Sequence, residues 1–552
     1  MNIMNKNYIS KIDYERFAGE DWPSYENLIN NNYIVTPELK IEIDEFLNLA
    51  HENYITQKKQ DQDTKELQHF FKTNYVHVGN KNFSIFQKNK KLFVTKQDYE
   101  NAAGNDWPSY PEFLDGNYGT SQKTVDEITK LIDISLQQGI KFPIRTATSC
   151  QSKWTWSTIF LNMMSTSSCH KVNPIKFSLE EFDNFHNLPK KLDDRRLMLK
   201  GEWPTGGCEY CRDIEAAHGH SDRMHNLEIR GLTPPELENN LEEVNVSPRI
   251  VEIFAQNKCN FKCVYCTPYF SSRIADENKK FGAFDKDGVS IPIVEIPDST
   301  KEYFDKFLNW LEKNVKNLVR LHLLGGETFI QHELMTKVLD IIEKNPNENL
   351  ELNIFTHLNA PDKFWNSYIE RIQDLQKTKN IRYLDLTASI DCWGKAAEYV
   401  RHGLDLQKFE ERLAWASEQG NWLRFNINQT ITSMTIKTMP ELIQKIDYYS
   451  QNKHIGHYFE FYIKGGPMFQ HPKMFAYEFW KDDFERIFAS MPTRTVHQQE
   501  AIVRMRGHQN QLEHVKTYNF PEIKKLQVYL DELDRRRNTN WREIFSYLDI
   551  HE

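Results

Sequence analysis

The sequence lacks any apolar stretch of about eighteen residues, the length at which a membrane-spanning helix is expected. No basic segment followed by an apolar one opens it, so no secretory signal peptide is predicted. Cysteine is scarce at eight residues in 552, and most of these cysteines stand in groupings typical of metal ligands rather than of a disulfide framework. These absences predict a protein of a reducing compartment, the cytoplasm, that is not held in a membrane.

An excess of positive charge is also missing. The chain has 69 lysine and arginine residues against 78 aspartate and glutamate residues, a net charge of -9. Such a chain repels nucleic-acid phosphates, and no segment combines dense basic residues with aromatic side chains that stack on bases. Nucleic acid is therefore not expected as a partner. Since 39% of the residues are hydrophobic, the chain can bury several cores, and its length suggests roughly three or four domains.

The most informative motif is C-x3-C-x2-C, formed by Cys259, Cys263 and Cys266 after an apolar, strand-like stretch at residues 250–255. Three thiolates on one loop can hold three corners of a cubane iron–sulfur cluster and leave the fourth iron without a protein ligand. An open position of this kind can bind a small molecule. The alternative is a zinc loop or a set of unrelated buried thiols. Zinc takes four ligands, and no cysteine or histidine follows closely in the sequence.

Strand-like and helix-like segments alternate after this motif. Apolar periodicity predicts helices over 300–318 and 438–449. Alternation of strands with helices favours a parallel sheet with right-handed crossovers, and polar residues stand at the carboxyl ends of the strands, where α/β barrels carry their chemistry. We predict an α/β fold, a partial, TIM-like (β/α)6 barrel over residues 246–470. The predicted strands after the cysteine motif are 318–324, 350–355, 383–391, 423–429 and 457–463.

Polar and glycine residues at two of these strand ends can bind a polar ligand. Gly325 and Gly326 lack side chains, so a ligand can approach backbone carbonyls that accept from an ammonium group, and Glu327 adds a carboxylate. At a later strand end, Asp391 can accept hydrogen bonds from hydroxyl groups, and Ser389 can donate or accept.

The cysteine motif, followed one strand later by Gly-Gly-Glu, resembles the radical S-adenosylmethionine (SAM) superfamily. The resemblance implies a [4Fe–4S] cluster on Cys259, Cys263 and Cys266, with the amino and carboxylate groups of SAM on the open iron. It implies reductive cleavage of SAM to a 5′-deoxyadenosyl radical that abstracts hydrogen from a substrate. The electron would come from an external low-potential donor.

The resemblance also implies a role for each strand-end residue. Tyr265 lies against the adenine, Gly325–Glu327 hold the methionine amino group, Ser389 and Asp391 lie near the ribose, and Arg401 pairs with the SAM carboxylate. A surface ion pair is the alternative for Arg401. Thr356, Asn359 and Gln429 either line the pocket or cap strands. Cys392 is predicted to be a buried small residue. No further catalytic residue is identified.

A second group of thiols lies upstream and consists of Cys150, Cys169, Cys208 and Cys211. Four thiols can close a tetrahedral zinc site or a fully ligated iron–sulfur cube. Residues 195–223 resemble the auxiliary-cluster segment of twitch or SPASM proteins, here placed ahead of the barrel, which implies a second [4Fe–4S] cluster. His218, His220 and His225 are either substitute ligands or ordinary histidines that face solvent or lie in the core.

The first quarter of the chain contains a repeat with an offset of 85 residues, seen in Trp-Pro-Ser-Tyr at 22–25 and 107–110. These aromatic residues either plug a small core or recognise a peptide, glycan or partner protein. Near the carboxyl terminus, Ile523, Leu526, Leu530 and Leu533 have helical spacing. The predicted organisation is a first repeat copy at 1–50, a polar connector at 51–90, a second copy at 91–140, the auxiliary-cluster segment at 141–245, the barrel at 246–470 and a helical region at 471–552.

The sequence thus predicts a radical SAM enzyme, and a peptide or protein is the favoured substrate. A small molecule or sugar nucleotide is the alternative within this class. A non-catalytic scaffold, with zinc in both cysteine groups, is the alternative from a different class. The reaction type and the substrate's identity are not encoded in any motif that we recognise.

Overall fold

A computed structural model describes residues 22–29, scattered positions from 36 to 131, and residues 146–551 apart from 217–220, 228, 230, 298–299, 452 and 462–467. The chain divides into two units. One is Met1–Asn89 with Arg145–Ala147, and the other is Lys90–Ile144 with Thr148–Glu552. Nearly all described residues belong to the second unit.

The described strands of the second unit form one large sheet and two small ribbons. The large sheet has nine strands in the order β13-β12-β10-β9-β8-β4-β1-β2-β3, while β11 pairs with β5 and β6 with β7. The strands are β1 (Trp156–Phe160), β2 (Ser165–Ser167), β3 (Ile175–Lys176), β4 (Ile250–Phe254), β5 (Lys262–Cys263), β6 (Phe284–Lys286), β7 (Val289–Ile291), β8 (Arg320–Leu324), β9 (Glu351–Thr356), β10 (Tyr383–Ser389), β11 (Arg401–His402), β12 (Leu423–Ile431) and β13 (Ile455–Phe461).

The order of the sheet follows the order of the sequence. The six strands β4, β8, β9, β10, β12 and β13 are neighbours in that order, and each pair is parallel. Upstream of them, β1 adds a further parallel strand beside β4, and β2 and β3 continue the sheet in antiparallel pairs. The α/β prediction is confirmed. The described sheet is open, because β13 and β3 are its edges.

Helices connect most of the parallel strands, as the hydrophobic periodicity predicts. The helix predicted over 300–318 ends at Asn314, and a short 3-10 turn, Val315–Asn317, leads to β8. None of the described helices combines the length and apolar character needed to cross a bilayer. The helices are Tyr25–Ile29, Gln151–Thr155, Pro189–Leu199, Glu209–Ala216, Asp222–Leu227, Glu236–Asn239, Ser272–Phe281, Thr300–Asn314, His332–Lys344, Asp362–Lys377, Lys395–Val400, Leu406–Ser417, Met439–Tyr449, Lys481–Ser490, Val496–Glu513, Phe520–Arg537 and Trp541–Ile544.

The predicted carboxyl-terminal helix exists, and it packs beside the cysteine motif. Phe520–Arg537 buries Ile523, Leu526 and Leu530, as the spacing predicts. The Tyr529 hydroxyl donates to the backbone oxygen of Val264, between the second and third cysteines of the motif, at 2.6 Å. This long helix near the carboxyl terminus therefore takes part in holding the cysteine loop.

The two repeat copies, each in a different unit, share local structure where they are described. Leu28 and Phe113 occupy equivalent positions, both are fully buried, and their N–H groups donate to the carbonyls of Ser24 and Ser109 at 2.9 and 2.8 Å. In the second copy, the ring of Trp107 lies 5.2 Å from that of Tyr99. These contacts favour the small-core interpretation of the Trp-Pro-Ser-Tyr motif. The connector at 51–90 lies outside the described residues.

Candidate functional site

The loop that carries Cys259, Cys263 and Cys266 follows β4 at the carboxyl edge of the parallel strands. All three are free thiols and are half-buried. Burial raises the pKa of each thiol, that of Cys266 to about 12, and the three thiols influence one another electrostatically. They therefore stay protonated unless a positively charged centre binds them, which is the usual behaviour of buried metal-binding cysteines.

The Gly-Gly motif after β8 packs directly against this cysteine loop. Gly325 and Gly326 have φ of 92° and 52°. A Cβ atom would lie 2.9 Å from the Gln256 carbonyl oxygen at Gly325, and 2.1 Å from the Lys258 carbonyl oxygen at Gly326. The sequence analysis expects these glycines to admit a ligand. In the structure, the group that approaches them closely is the backbone of the cysteine loop itself.

Glu327 completes this contact from a fully buried position. Its N–H donates to the Lys258 carbonyl at 2.8 Å. Its carboxylate accepts from the Thr356 hydroxyl and the His357 N–H, both at 2.8 Å. Burial raises the pKa of Glu327 to about 7, although these hydrogen bonds oppose the shift. Glu327 therefore joins the ends of β8 and β9 to the cysteine loop.

Asp391 and Arg401 bind each other rather than lying apart. Arg401 donates from Nε and Nη2 to the two carboxylate oxygens of Asp391, each at 2.9 Å. Asp391 is fully buried and also accepts from the Tyr265 hydroxyl at 2.6 Å and the Thr430 N–H at 2.9 Å. The surface ion-pair interpretation of Arg401 is wrong, since this residue is only 7% exposed. The ribose contact of Asp391 and the SAM carboxylate contact of Arg401 stay predictions.

A short ribbon ties Arg401 to the cysteine loop. In the β5–β11 pair, Arg401 lies opposite Cys263, and His402 lies opposite Lys262. The guanidinium Nη1 of Arg401 lies 4.0 Å from the Cys263 sulfur. Burial outweighs the effect of this cation, so the net pKa of Cys263 is still raised. Nothing in the spacing of residues 259–266 predicts this ribbon.

A stack of two aromatic rings joins the cysteine loop to the residue that follows β9. The Phe261 ring stacks on His357 with 3.6 Å between centroids. His357 Nε2 lies 2.9 Å from the Asn260 side-chain oxygen, and burial lowers the pKa of His357 well below its ordinary value. His357 is therefore a neutral support of the loop. The sequence analysis missed it, although it directly follows Thr356, which the analysis named.

The remaining predicted pocket residues have internal partners. Asn359 accepts from the Asp405 N–H at 2.6 Å. Gln429 donates to the Asp391 carbonyl oxygen at 2.7 Å. These contacts favour the strand-capping alternative for both residues. Ser389 is the last residue of β10 and is half-buried, and Cys392 is fully buried, as predicted.

The upstream cysteines also come together, although three separate segments supply them. Cys150 precedes the helix Gln151–Thr155, Cys169 follows β2, and Cys208 and Cys211 stand at the helix Glu209–Ala216. Burial raises the pKa of all four thiols, that of Cys169 to about 12 and that of Cys208 to about 11. Each of the other three interacts electrostatically with Cys150. Cys150, Cys169 and Cys208 also pack in one hydrophobic cluster with Trp154, so the structure places their three segments side by side.

A buried cation that was not predicted from the sequence, Lys153, lies beside this second group. Lys153 is 2% exposed and pairs with Asp194 at 2.6 Å. Burial opposes the charge of Lys153, but Cys208, Asp194 and Cys150 outweigh it and raise the pKa of this ammonium. His218 and His220, for which a ligand role was one of two interpretations, lie outside the described residues, as does the side chain of His225.

A row of buried polar side chains crosses one face of the sheet. This polar row consists of Thr158, Glu252, His322 and Asn353, which are successive partners on four adjacent strands. Thr158 donates to Glu252 at 2.6 Å, and His322 Nδ1 lies 2.9 Å from the Asn353 side-chain oxygen. The Trp156 ring stacks on His322 with 5.2 Å between centroids. In the sequence, the signal for this row is a single polar residue inside each apolar strand, and the row was not predicted from it.

Comparison of the chain with models of protein families gives no match, and comparison with curated proteins gives none either. A functional assignment therefore depends on side-chain chemistry. The two cysteine groups, the buried Arg401–Asp391 pair and the polar row are the features that carry it.

Proposed function

We propose that the chain is a radical SAM enzyme. The observation that carries this proposal is the placement of three free thiols on one loop at the carboxyl edge of a parallel sheet, with the buried Arg401–Asp391–Tyr265 set against the second of them. In the radical SAM family that the sequence resembles, the residues at these positions surround SAM. When bound, the [4Fe–4S] cluster and SAM would supply an electron-transfer centre and a source of the 5′-deoxyadenosyl radical.

The donor chemistry of the loop fits an iron–sulfur cluster. Thiolates are soft ligands that suit iron–sulfur centres, and Cys259, Cys263 and Cys266 supply three. Over the described ranges, no three side chains of His, Cys, Asp or Glu are placed to hold a single metal ion. Zinc takes the same thiolate ligands, so the bound metal measured in the test below decides between a cluster and zinc.

Unpartnered acceptors near the loop fit an ammonium group. The side-chain oxygens of Gln256 and Gln331 and the hydroxyl of Thr267 are buried and have no hydrogen-bond partner among the described residues. Gln256 lies beside Gly325, Gln331 donates to the Gly325 carbonyl oxygen, and Thr267 follows Cys266. Buried acceptors without donors are costly, so a ligand with N–H donors would stabilise this edge. The methionine part of SAM has such donors.

Evidence for a curled sheet supports the finer fold prediction, a partial barrel. Lys171 follows β2, and Glu460 lies on β13. A flat sheet would separate β2 from β13 by about 34 Å, because neighbouring strands lie about 4.8 Å apart. Burial opposes the charge of Lys171, yet Asp222 and Glu460 raise its pKa to about 12. An interaction between Lys171 and Glu460 favours a sheet whose two sides approach each other, as in a barrel.

The polar row fits a substrate with hydrogen-bond donors. Asn353 donates from its amide nitrogen to the Asp385 carbonyl, so its oxygen accepts from His322 Nδ1–H. This leaves His322 Nε2 as a buried acceptor without a partner among the described residues. A peptide or protein, rich in N–H donors, remains the favoured substrate, and a small molecule or sugar nucleotide the alternative. The eight free thiols fit the reducing cytoplasm.

The test is to reconstitute the protein with iron and sulfide without oxygen, and then to measure bound iron, bound sulfide and 5′-deoxyadenosine formed from SAM with dithionite. We expect about eight irons per chain together with the product. About four irons with product would remove the second cluster but keep the proposed activity. Bound zinc without product would overturn the proposal in favour of a metal-stabilised scaffold.

A further inference from the structure

A surface pocket of about 390 Å³ opens on the outer side of the cysteine loop. The loop itself supplies one wall through Asn260 and Lys262, and the helix Ser272–Phe281 supplies another through Arg273 and Lys280. His402, which follows Arg401 on β11, also lines the pocket. The pocket therefore shares its wall with the proposed cluster site.

The pocket is basic although the chain as a whole is acidic. Its lining has four lysine or arginine side chains, Lys262, Arg273, Lys280 and Arg536, against Asp276 and Glu277. Glu277 pairs with Lys262 at 2.7 Å and with Arg537 at 3.0 Å, and Arg536 pairs with Glu532 at 2.6 Å, which leaves Arg273 and Lys280 against Asp276.

Two of these cations are available to a partner. Arg273 and Lys280 are exposed, and no ion pair is formed by either within the described ranges. A positive patch on a chain of net charge -9 attracts a negatively charged partner to this one region, since complementary charge steers association.

The two-stranded ribbon formed by β5 and β11 separates this positive patch from the thiols. In β5 and β11, successive side chains point to opposite faces. Cys263 and Arg401 are partners on one face, where the guanidinium lies 4.0 Å from the sulfur. Lys262 and His402 are partners on the other face, which is the wall of the pocket. A partner seated on the pocket is therefore separated from Cys263 by the thickness of one two-stranded ribbon.

We propose that the pocket is the docking surface of the electron donor, an acidic low-potential flavin or iron–sulfur protein. This inference rests on the proposed function and names the partner of the same site. The reduced donor binds through Arg273 and Lys280 and gives up one electron across the ribbon. The donor is oxidised by one electron, and the centre held by the loop is reduced by one.

The test uses the full chain and a reduced, acidic flavodoxin as the probe. The variant is Arg273→Glu with Lys280→Glu. A matched control is Lys313→Glu with Lys344→Glu, which changes the net charge by the same amount at exposed positions. These lysines lie near the ends of the helices Thr300–Asn314 and His332–Lys344, which lead to the amino ends of β8 and β9, away from the cysteine loop. Two quantities are measured for each protein: the Kd for flavodoxin, and the 5′-deoxyadenosine formed with flavodoxin or with dithionite.

We expect the pocket variant to bind flavodoxin at least about tenfold more weakly, and the control within about twofold of the wild type. Product formed with flavodoxin falls in the pocket variant, whereas product formed with dithionite does not, which also shows that the variant is folded. Added salt weakens wild-type binding. An unchanged Kd in the pocket variant would overturn the docking surface. If the wild type forms no 5′-deoxyadenosine with dithionite, the proposed function is overturned instead. The Kd for flavodoxin would still measure binding at the pocket.

Discussion

The two cysteine groups are built in different ways. Cys259, Cys263 and Cys266 lie on one continuous loop, so their proximity is local. Cys150, Cys169 and the Cys208–Cys211 pair come from three segments that only the folded chain brings together. Local spacing identifies the first group, and tertiary structure assembles the second.

The surroundings of the two groups differ as well. The loop has three thiols beside a guanidinium that is fixed by Asp391. The upstream group has four buried thiols beside the Lys153–Asp194 pair. Three ligands leave room for a bound molecule, and four do not. Under the proposed function, the loop would therefore bind SAM, and the upstream group would have an electron-transfer or structural role.

The largest expected effect is that of Cys263→Ala. Loss of one of three thiolates would leave the loop unable to hold its cluster, so 5′-deoxyadenosine formation should fall to background while the chain stays folded. The measurement is product formed with dithionite, together with a circular dichroism spectrum. Cys392→Ala is the matched control, since Cys392 is a buried thiol outside both groups. Product at the wild-type level in Cys263→Ala would contradict the ligand assignment.

Changing Cys208 and Cys211 together to Ala tests the upstream group. Bound iron should fall by about half, because one of two cubes is lost, while SAM cleavage with dithionite continues at the loop. The measurement is iron per chain after reconstitution. An iron content that stays at the wild-type value would mean that the four upstream thiols hold no cluster. Only the loop would then bind iron.

The pH dependence of stability tests Glu327, which anchors the loop. Burial raises its pKa from 4.5 to about 7 in the folded chain. Between these values the folded form keeps a proton that the unfolded form releases, so stability falls as pH rises through this window, by about 3 kcal/mol at most. The measurement is the thermal midpoint at pH 5 and pH 8.

The Glu327→Gln variant lacks this titration, so its midpoint should change less between the two pH values than that of the wild type. Its loss of a carboxylate acceptor lowers the midpoint at both pH values and does not affect the comparison. Glu333→Gln, at a half-exposed position of the next helix where it pairs with Lys337, should follow the wild type. Equal pH dependence in the wild type and Glu327→Gln would show that Glu327 is ionised throughout.

The smallest expected effect is that of Tyr529→Phe. This change removes the hydrogen bond from the last long helix to Val264 in the cysteine loop and leaves a buried carbonyl without that donor. A loss of about 1 kcal/mol is expected, seen as a slightly lower thermal midpoint with iron content unchanged. A large loss of iron would instead show that the helix Phe520–Arg537 is needed to form the loop site.

Much of the fold could be predicted because it follows from periodicity. The helix Met439–Tyr449 lies within one residue of its predicted range, and β9 and β10 lie close to theirs. The polar row could not be predicted from the periodicity of the sequence. Its members, among them Glu252 and His322, are single polar residues on different strands, and their alignment depends on strand register.

By itself, the sequence determined the alternation of strands and helices, the thiols of the loop and the glycines that follow β8, since each is a property of neighbouring residues. Tertiary structure alone decided that Gly326 faces the Lys258 carbonyl, that Arg401 pairs with Asp391, and that Lys153 stands among the upstream thiols. The physical reason is that hydrogen bonds and ion pairs act over a few ångströms, and only sheet register and helix packing bring distant segments that close.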